Sequence, residues 1–133
     1  GQFVDKPWER YERMISLNVT ALTHFSHLYA NEWKGKQEGK ILNISSTAAF
    51  QPGPMMAVYF ATKSYVLQLS EALNHELRKE GITVTVLCPG PTSTFFGLVV
   101  GRISLSSPPM TPARATVFTA SAITKSSVVS LRA

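Results

Sequence analysis

The sequence predicts an α/β fold built on one strand–helix–strand unit. Three observations carry that expectation. Residues 40–45 (KILNIS) and 82–87 (ITVTVL) are short apolar runs, each entered through a glycine, Gly39 and Gly81. Between them, from Ala57 onward, Val58, Tyr65, Val66, Leu69, Leu73 and Leu77 recur at helical spacing. A second periodic run, Trp8, Tyr11, Ile15, Val19, Leu22, Phe25 and Tyr29, precedes the first strand. Strand, long helix, strand in that order makes two parallel strands joined by a right-handed crossover.

Each element has its own signals. Residues 1–5 read as the end of a loop, with Asp5 as a helix cap, Pro7 in the first turn, and Glu9 and Glu12 near the positive end. That helix is expected over about 7–33, stopping before Gly35. Asn18, Val19 and Thr20 are mediocre helix formers in its middle, so a kink is expected near Asn18. Residues 34–39 form a polar turn, and 40–45 a short buried strand. Residues 47–56 hold Gly53 between Pro52 and Pro54 and are expected as loop. The helix from 57 shows a polar face of Gln68, Glu71, Asn74, Glu76 and Arg78, and Gly81 is placed to cap its end. The strand 82–87 closes at Pro89-Gly90. Beyond Thr94 the pattern weakens: 95–101 is apolar, 104–112 a Ser- and Pro-rich loop, 113–123 a weak helix and 127–131 an edge strand.

At 133 residues the chain holds at most one domain, and 44% hydrophobic with 16% charged residues suits a globular core. The net charge of +5 is uneven. Residues 1–80 nearly balance, whereas 81–133 hold Arg102, Arg114, Lys125 and Arg132 and no acid. Four scattered cations without interleaved aromatics are a poor nucleic-acid surface, so no nucleic-acid partner is expected. No apolar run approaches the roughly 18–20 residues of a bilayer span, and the first residues show no leader pattern. Neither a membrane partner nor a signal peptide is expected. The lone cysteine, Cys88, ends an apolar strand and reads as a buried, inert thiol, which fits a reducing, cytoplasmic setting.

The residues able to do chemistry gather between 43 and 63. Tyr59 and Lys63, four apart at a helix start, share one face. Ser46 follows the first strand, thirteen residues before the tyrosine. A hydroxyl, a phenol and an ammonium then meet at the carboxyl end of a parallel strand, where open α/β sheets place their ligands. Ser45 is the alternative hydroxyl, and Asn43, on the strand, is expected to be structural. His24 and His27 lack the further ligands a metal needs, so no metal is expected. Met55 and Met56 are expected as packing or pocket wall.

The pieces LNVTALTHFS around Asn18, GKILNISSTAAF, YFATK and ITVTVLCPGPTST, in that order and spacing, resemble the catalytic half of the short-chain dehydrogenase/reductase family over about residues 5–96. The resemblance implies a partial Rossmann-like, doubly wound parallel sheet, with 40–45 and 82–87 as strands five and six between long flanking helices. It divides the chain into a catalytic half, 1–96, and a divergent or poorly ordered segment, 97–133. It implies an NAD(P)-dependent oxidoreductase, a carbonyl reductase or alcohol dehydrogenase acting on a small carbonyl or alcohol, with NAD or NADP as cofactor. Tyr59 is then the general acid/base. A phenol ordinarily keeps its proton to about pH 10, and a neighbouring ammonium such as Lys63 favours the phenolate. Lys63 would also bind the nicotinamide ribose. Ser46 would hold the substrate oxygen, and Asn18, through its backbone, a water in a proton relay. Pro89, Gly90, Thr92 and Thr94 would line the nicotinamide.

The family's glycine-rich pyrophosphate turn has no counterpart here, and neither does its Asn-Asn-Ala-Gly segment. A fragment is therefore expected, with an unpaired strand edge and an uncovered apolar sheet face. The alternative is a non-catalytic module that assembles through the two long helices, about 7–33 and 57–80, which form the family's dimer interface.

Overall fold

The computed structural model describes residues 1–90 and 116–118. A 3-10 turn, Phe3–Asp5, opens the chain. Pro7 then stands at the N-cap of helix α1 (Trp8–Ile15), its carbonyl accepting from the Arg10 N–H at 3.1 Å. Asp5 therefore belongs to the preceding turn and is not the cap. Proline takes that place because its φ of −63° is already set for helix entry.

Helix α1 passes through a π-helical segment, Ser16–Ala21, into α2 (Leu22–Trp33). The disturbance expected at Asn18 takes the form of this wider turn rather than a break. The junction residues Ile15 (φ −65°, ψ −46°) and Leu22 (φ −61°, ψ −44°) keep helical dihedrals. Gly35 at φ 78° and Gln37 at φ 57° then turn the chain into β1 (Gly39–Ile44).

A 3-10 turn, Thr47–Phe50, and a loop around Gly53 lead into α3 (Ala57–Leu77). The helix tightens through Arg78–Glu80 and ends at Gly81 with φ 71°, the left-handed cap expected from sequence. A Cβ at Gly81 would lie 2.5 Å from the Gln37 backbone, so both the dihedral and the close approach require glycine.

Strand β2 (Ile82–Cys88) pairs with β1 in parallel, from Gly39 opposite Ile82 to Ile44 opposite Leu87. A short strand β3 (Thr116–Phe118) pairs antiparallel with the end of β2, Val86 opposite Phe118. The described sheet, in the order β1-β2-β3, is therefore mixed rather than wholly parallel. A strand also stands where a helix over 113–123 was expected. Thr116, Val117 and Phe118 are β-branched or aromatic residues, which suit an extended chain better than a helix. The expectations for 95–101, 104–112 and 127–131 lie outside the described residues.

The core sits between β2 and α3. Along β2, Ile82, Val84, Val86 and Cys88 point inward and are buried. Val86 and Cys88 meet Val66 and Leu67 of α3, with Leu22 and Ala49 packed at the margin. The buried stripe of α3 is Thr62, Val66, Leu67 and Ser70, rotated from the apolar series read in the sequence, and Tyr65 is left exposed. Two hydroxyls are tolerated inside because they are bonded. Ser70 donates to the Val66 carbonyl at 2.6 Å and accepts from Asn43 Nδ2 at 2.9 Å. Asn43 is thus structural, as expected. Strand β1 is not fully buried: Leu42 and Ile44 point away from Asn43 and are 61% and 46% exposed. The strand expected to be buried is thus exposed on one of its two faces.

Candidate active site

Two main-chain hydrogen bonds and one from a side chain fix the site at the carboxyl ends of β1 and β2. Beyond the last residue of β1, the Ser45 N–H donates to the Leu87 carbonyl at 2.8 Å. The Thr47 N–H donates to the Pro89 carbonyl at 3.0 Å. These two bonds extend the parallel ladder past the strand and place Ser46 beside the Pro89-Gly90 turn. From the helix side, Ser45 Oγ donates to the Lys63 carbonyl at 2.7 Å. The second turn of α3 is thereby pinned to the same strand end.

Ser46 is half-buried and extended (φ −166°, ψ 161°). Its Oγ caps the 3-10 turn by accepting from the Ala48 N–H at 3.1 Å. A serine hydroxyl keeps its own O–H to donate when it accepts in this way. Ser45, by contrast, is 2% exposed and spends its proton on the Lys63 carbonyl. Between the two hydroxyls, the geometry leaves Ser46 as the one able to donate to a ligand.

The i, i+4 spacing of Tyr59 and Lys63 does bring them together, with Lys63 Nζ 5.9 Å from the Tyr59 ring centroid. The ammonium also donates to the Ile44 carbonyl at 3.1 Å. Burial holds the Lys63 ammonium below the usual lysine value, while the nearby Cys88 thiol acts weakly in the opposite sense. Burial pushes the Cys88 thiol up. Cys88 is 1% exposed, the inert setting expected for it.

Asn18 joins the site through its side chain. From the π-helical segment its Nδ2 donates to Thr62 Oγ1 at 3.1 Å, and Thr62 Oγ1 donates to the Tyr59 carbonyl at 2.8 Å. Sequence reasoning missed Thr62, Ser45 as a tether, and the Ile44 carbonyl. Thr62 carried a signal: a hydroxyl one turn after Tyr59, within the same YFATK run. The Ile44 carbonyl carried none, since a main-chain acceptor has no residue type. Pro89 follows β2, its carbonyl accepting from the Thr47 N–H next to Ser46, and Gly90 is the next residue. Thr92 and Thr94 lie outside the described residues. Among the described residues no three His, Cys, Asp or Glu side chains group as a metal site, and the His27 ring bonds Asn31 Nδ2 at 3.1 Å.

The Ser46 hydroxyl and the half-buried Lys63 ammonium, with the Tyr59 ring beside it, lie at the carboxyl ends of a parallel strand pair, where α/β folds place their ligands. The family model described as short chain dehydrogenase matches residues 1–99, and the chain belongs to that family of NAD(P)-dependent oxidoreductases with a Rossmann fold.

A very-long-chain 3-oxoacyl-CoA reductase of Laccaria bicolor is 37% identical over 102 residues, covering 77% of this chain and 28% of the relative. A 7beta-hydroxysteroid dehydrogenase of Collinsella aerofaciens is 32% identical over 94 residues, covering 71% of this chain and 36% of the relative. Among solved structures, a short-chain dehydrogenase from Sphingobium yanoikuyae in complex with NADPH aligns with a TM-score of 0.76 at 38% identity. It covers 84% of this chain and 44% of that one. The chain thus spans less than half the length of each of these relatives.

The donor set suits a nicotinamide nucleotide. An ammonium carries three N–H donors, and Lys63 gives one to Ile44. The other two suit the adjacent hydroxyls of a ribose.

Proposed function

We propose that this chain carries the proton-transfer part of a carbonyl reductase or alcohol dehydrogenase that acts on a small carbonyl or alcohol with NAD or NADP. The observation that supports it most is the placement of Lys63. Its ammonium lies 5.9 Å from the Tyr59 ring centroid and is tethered to the carbonyl of Ile44, two residues before Ser46.

In this proposal Tyr59 gives its phenolic proton to the substrate oxygen, or takes it back in the reverse direction. Ser46 donates a hydrogen bond to the same oxygen and stabilises its developing charge. Lys63 holds its ammonium beside the Tyr59 ring and binds the ribose hydroxyls. Asn18, through its main chain, orders a water that carries protons toward Lys63. Pro89, Gly90, Thr92 and Thr94 form the wall against which the nicotinamide ring lies. When bound, the nicotinamide supplies or accepts the hydride. Residues 1–96 form this catalytic unit, with β1 and β2 as strands five and six of the family sheet and 97–133 as a separate divergent segment. The sequence supplies the nicotinamide side of the site and no glycine-rich diphosphate turn, so full affinity calls for a second segment. A reducing, cytoplasmic setting suits the free thiol of Cys88.

A second class of function, an assembly module without turnover, is favoured by one observation. Phe25, Leu28 and Tyr29 on α2 and Tyr65 on α3 are exposed apolar or aromatic side chains. NADPH fluorescence titration, with sedimentation of the same sample, separates the two. Saturable binding that weakens in Lys63→Met supports the oxidoreductase. Dimerisation without binding overturns it in favour of the module.

A further inference from the structure

The bond from Asn18 to Thr62 is a side-chain link between the π-helical segment and the turn that carries Tyr59. Thr62 is 3% exposed, so its hydroxyl has no water to fall back on. It receives the Asn18 Nδ2 proton at 3.1 Å and passes its own to the Tyr59 carbonyl at 2.8 Å. Its capacity as an acceptor and as a donor is used on the two residues that the site most needs in register.

Threonine back-bonding to a carbonyl one turn earlier is common in helices and by itself means little. The contact from a separate helix 44 positions away in sequence is different, because it makes the hydroxyl a joint between two elements. A second feature points the same way. The joint meets the first helix inside Ser16–Ala21, where the helix widens from the α to the π pattern. Such widenings are local departures that recur at functional sites, and they hold only when neighbouring groups fix them.

We propose that Thr62 is a positioning residue. It locks the π-helical turn at Asn18 to the turn bearing Tyr59, so that the Asn18 main chain and the Tyr59 phenol keep a fixed relation during proton transfer. The proposal rests on the oxidoreductase reading for its catalytic part, while the lock itself is a property of the fold. Threonine suits the position better than alanine or valine because both hydrogen-bonding roles are needed. Serine keeps both roles and loses only a methyl group.

The test compares Thr62→Ser, Thr62→Val, Asn18→Ala and the Asn18→Ala/Thr62→Val pair in the intact polypeptide that carries this sequence. Two readouts are taken: steady-state ketone reduction, and solvent exchange of the Asn18 carboxamide protons by NMR. In Thr62→Val, kcat falls roughly tenfold to a hundredfold with KM within about twofold, the size of effect a displaced reacting group produces. Thr62→Ser restores kcat to within about threefold of wild type. The paired variant is no slower than the slower single, because both changes break one joint. The carboxamide protons exchange slowly in wild type and Thr62→Ser, and faster in Thr62→Val.

Equal exchange in wild type and Thr62→Val overturns the lock. Unchanged kcat in Thr62→Val, or a fully additive pair, overturns the positioning role. Wild-type protein that reduces no ketone overturns the oxidoreductase reading, and the exchange rates then decide the lock on their own. Should Thr62→Val fold poorly, the comparison of Thr62→Ser with Asn18→Ala, which removes the donor from the other side, decides the same question.

Discussion

Lys63 reaches back from the second turn of α3 and donates to the Ile44 carbonyl at 3.1 Å, while Ser45 donates to the Lys63 carbonyl at 2.7 Å. The lysine is thus held at both ends by consecutive residues of one strand end. Lys63→Met keeps the hydrophobic stem and removes the charge. It is expected to lower kcat by about a hundredfold or more while thermal stability changes by about 1 kcal/mol or less. Lys63→Arg keeps the charge with a different fork geometry and should fall between wild type and Lys63→Met. Steady-state kinetics with parallel thermal melts check both.

The two adjacent serines should separate cleanly. Ser45 is buried, and its hydroxyl ties α3 to β1. Ser45→Ala leaves the Lys63 carbonyl short of a donor and should cost about 1–3 kcal/mol of stability. Ser46→Ala loses only a cap on a short turn, at about 1 kcal/mol, yet should lower kcat by about a hundredfold. Urea melts and kinetics on the two variants would show opposite orders of damage. Equal kcat losses would count against Ser46 as the substrate-facing hydroxyl.

The alkaline limb of stability should respond in opposite senses to two neighbours. Burial lowers the folded-state value of Lys63 below the usual 10.5. Between those values the unfolded chain holds a proton that the folded chain has released, so stability rises with pH across that window. Burial raises Cys88 above its usual 9.0. From there upward the unfolded chain has lost a proton that the folded chain keeps, so stability falls. Each effect is capped at about 1.4 kcal/mol per pH unit. Going from about pH 8 to about pH 10, Lys63→Met should lose more stability than wild type, and Cys88→Ala less. Urea unfolding at the two pH values measures both differences.

Much of this arrangement was legible in the sequence. The two parallel strands, the long helices, the Gly81 cap and the meeting of Tyr59 with Lys63 all follow from periodicity and glycine placement, which are local properties. What escaped was set by tertiary partners. Asp5 reads as a cap until Pro7 takes the position. Thr62 and Ser70 fall outside the apolar series, yet they are buried because Asn18 and Asn43 bond their hydroxyls. The apolar series of α3 includes Tyr65, because hydrophobicity alone cannot say which side of a helix meets the sheet. The strand at 116–118, inside the span 113–123 expected as helix, leaves no trace in the sequence because three residues are too short to show alternation.

Gly53 offers a test of packing beside the site. It is buried, and a Cβ added there would lie 2.2 Å from the Phe60 ring, near the root of a side chain that adjoins Tyr59. Phe60 packs edge-on against Tyr59, with ring centroids 6.0 Å apart. Gly53→Ala must therefore move Phe60, at a cost of about 1–3 kcal/mol, and should lower kcat as well. The pair Gly53→Ala/Phe60→Leu should recover part of the stability in thermal melts.

The most direct test of the central claim is NAD(P)H-dependent ketone reduction by the intact polypeptide that carries this sequence, compared with its Tyr59→Phe variant. If the Tyr59 phenol handles the proton, removing one oxygen atom should lower kcat by about 10²–10⁴-fold while NAD(P)H still binds. Reduction by Tyr59→Phe at the wild-type rate would contradict it.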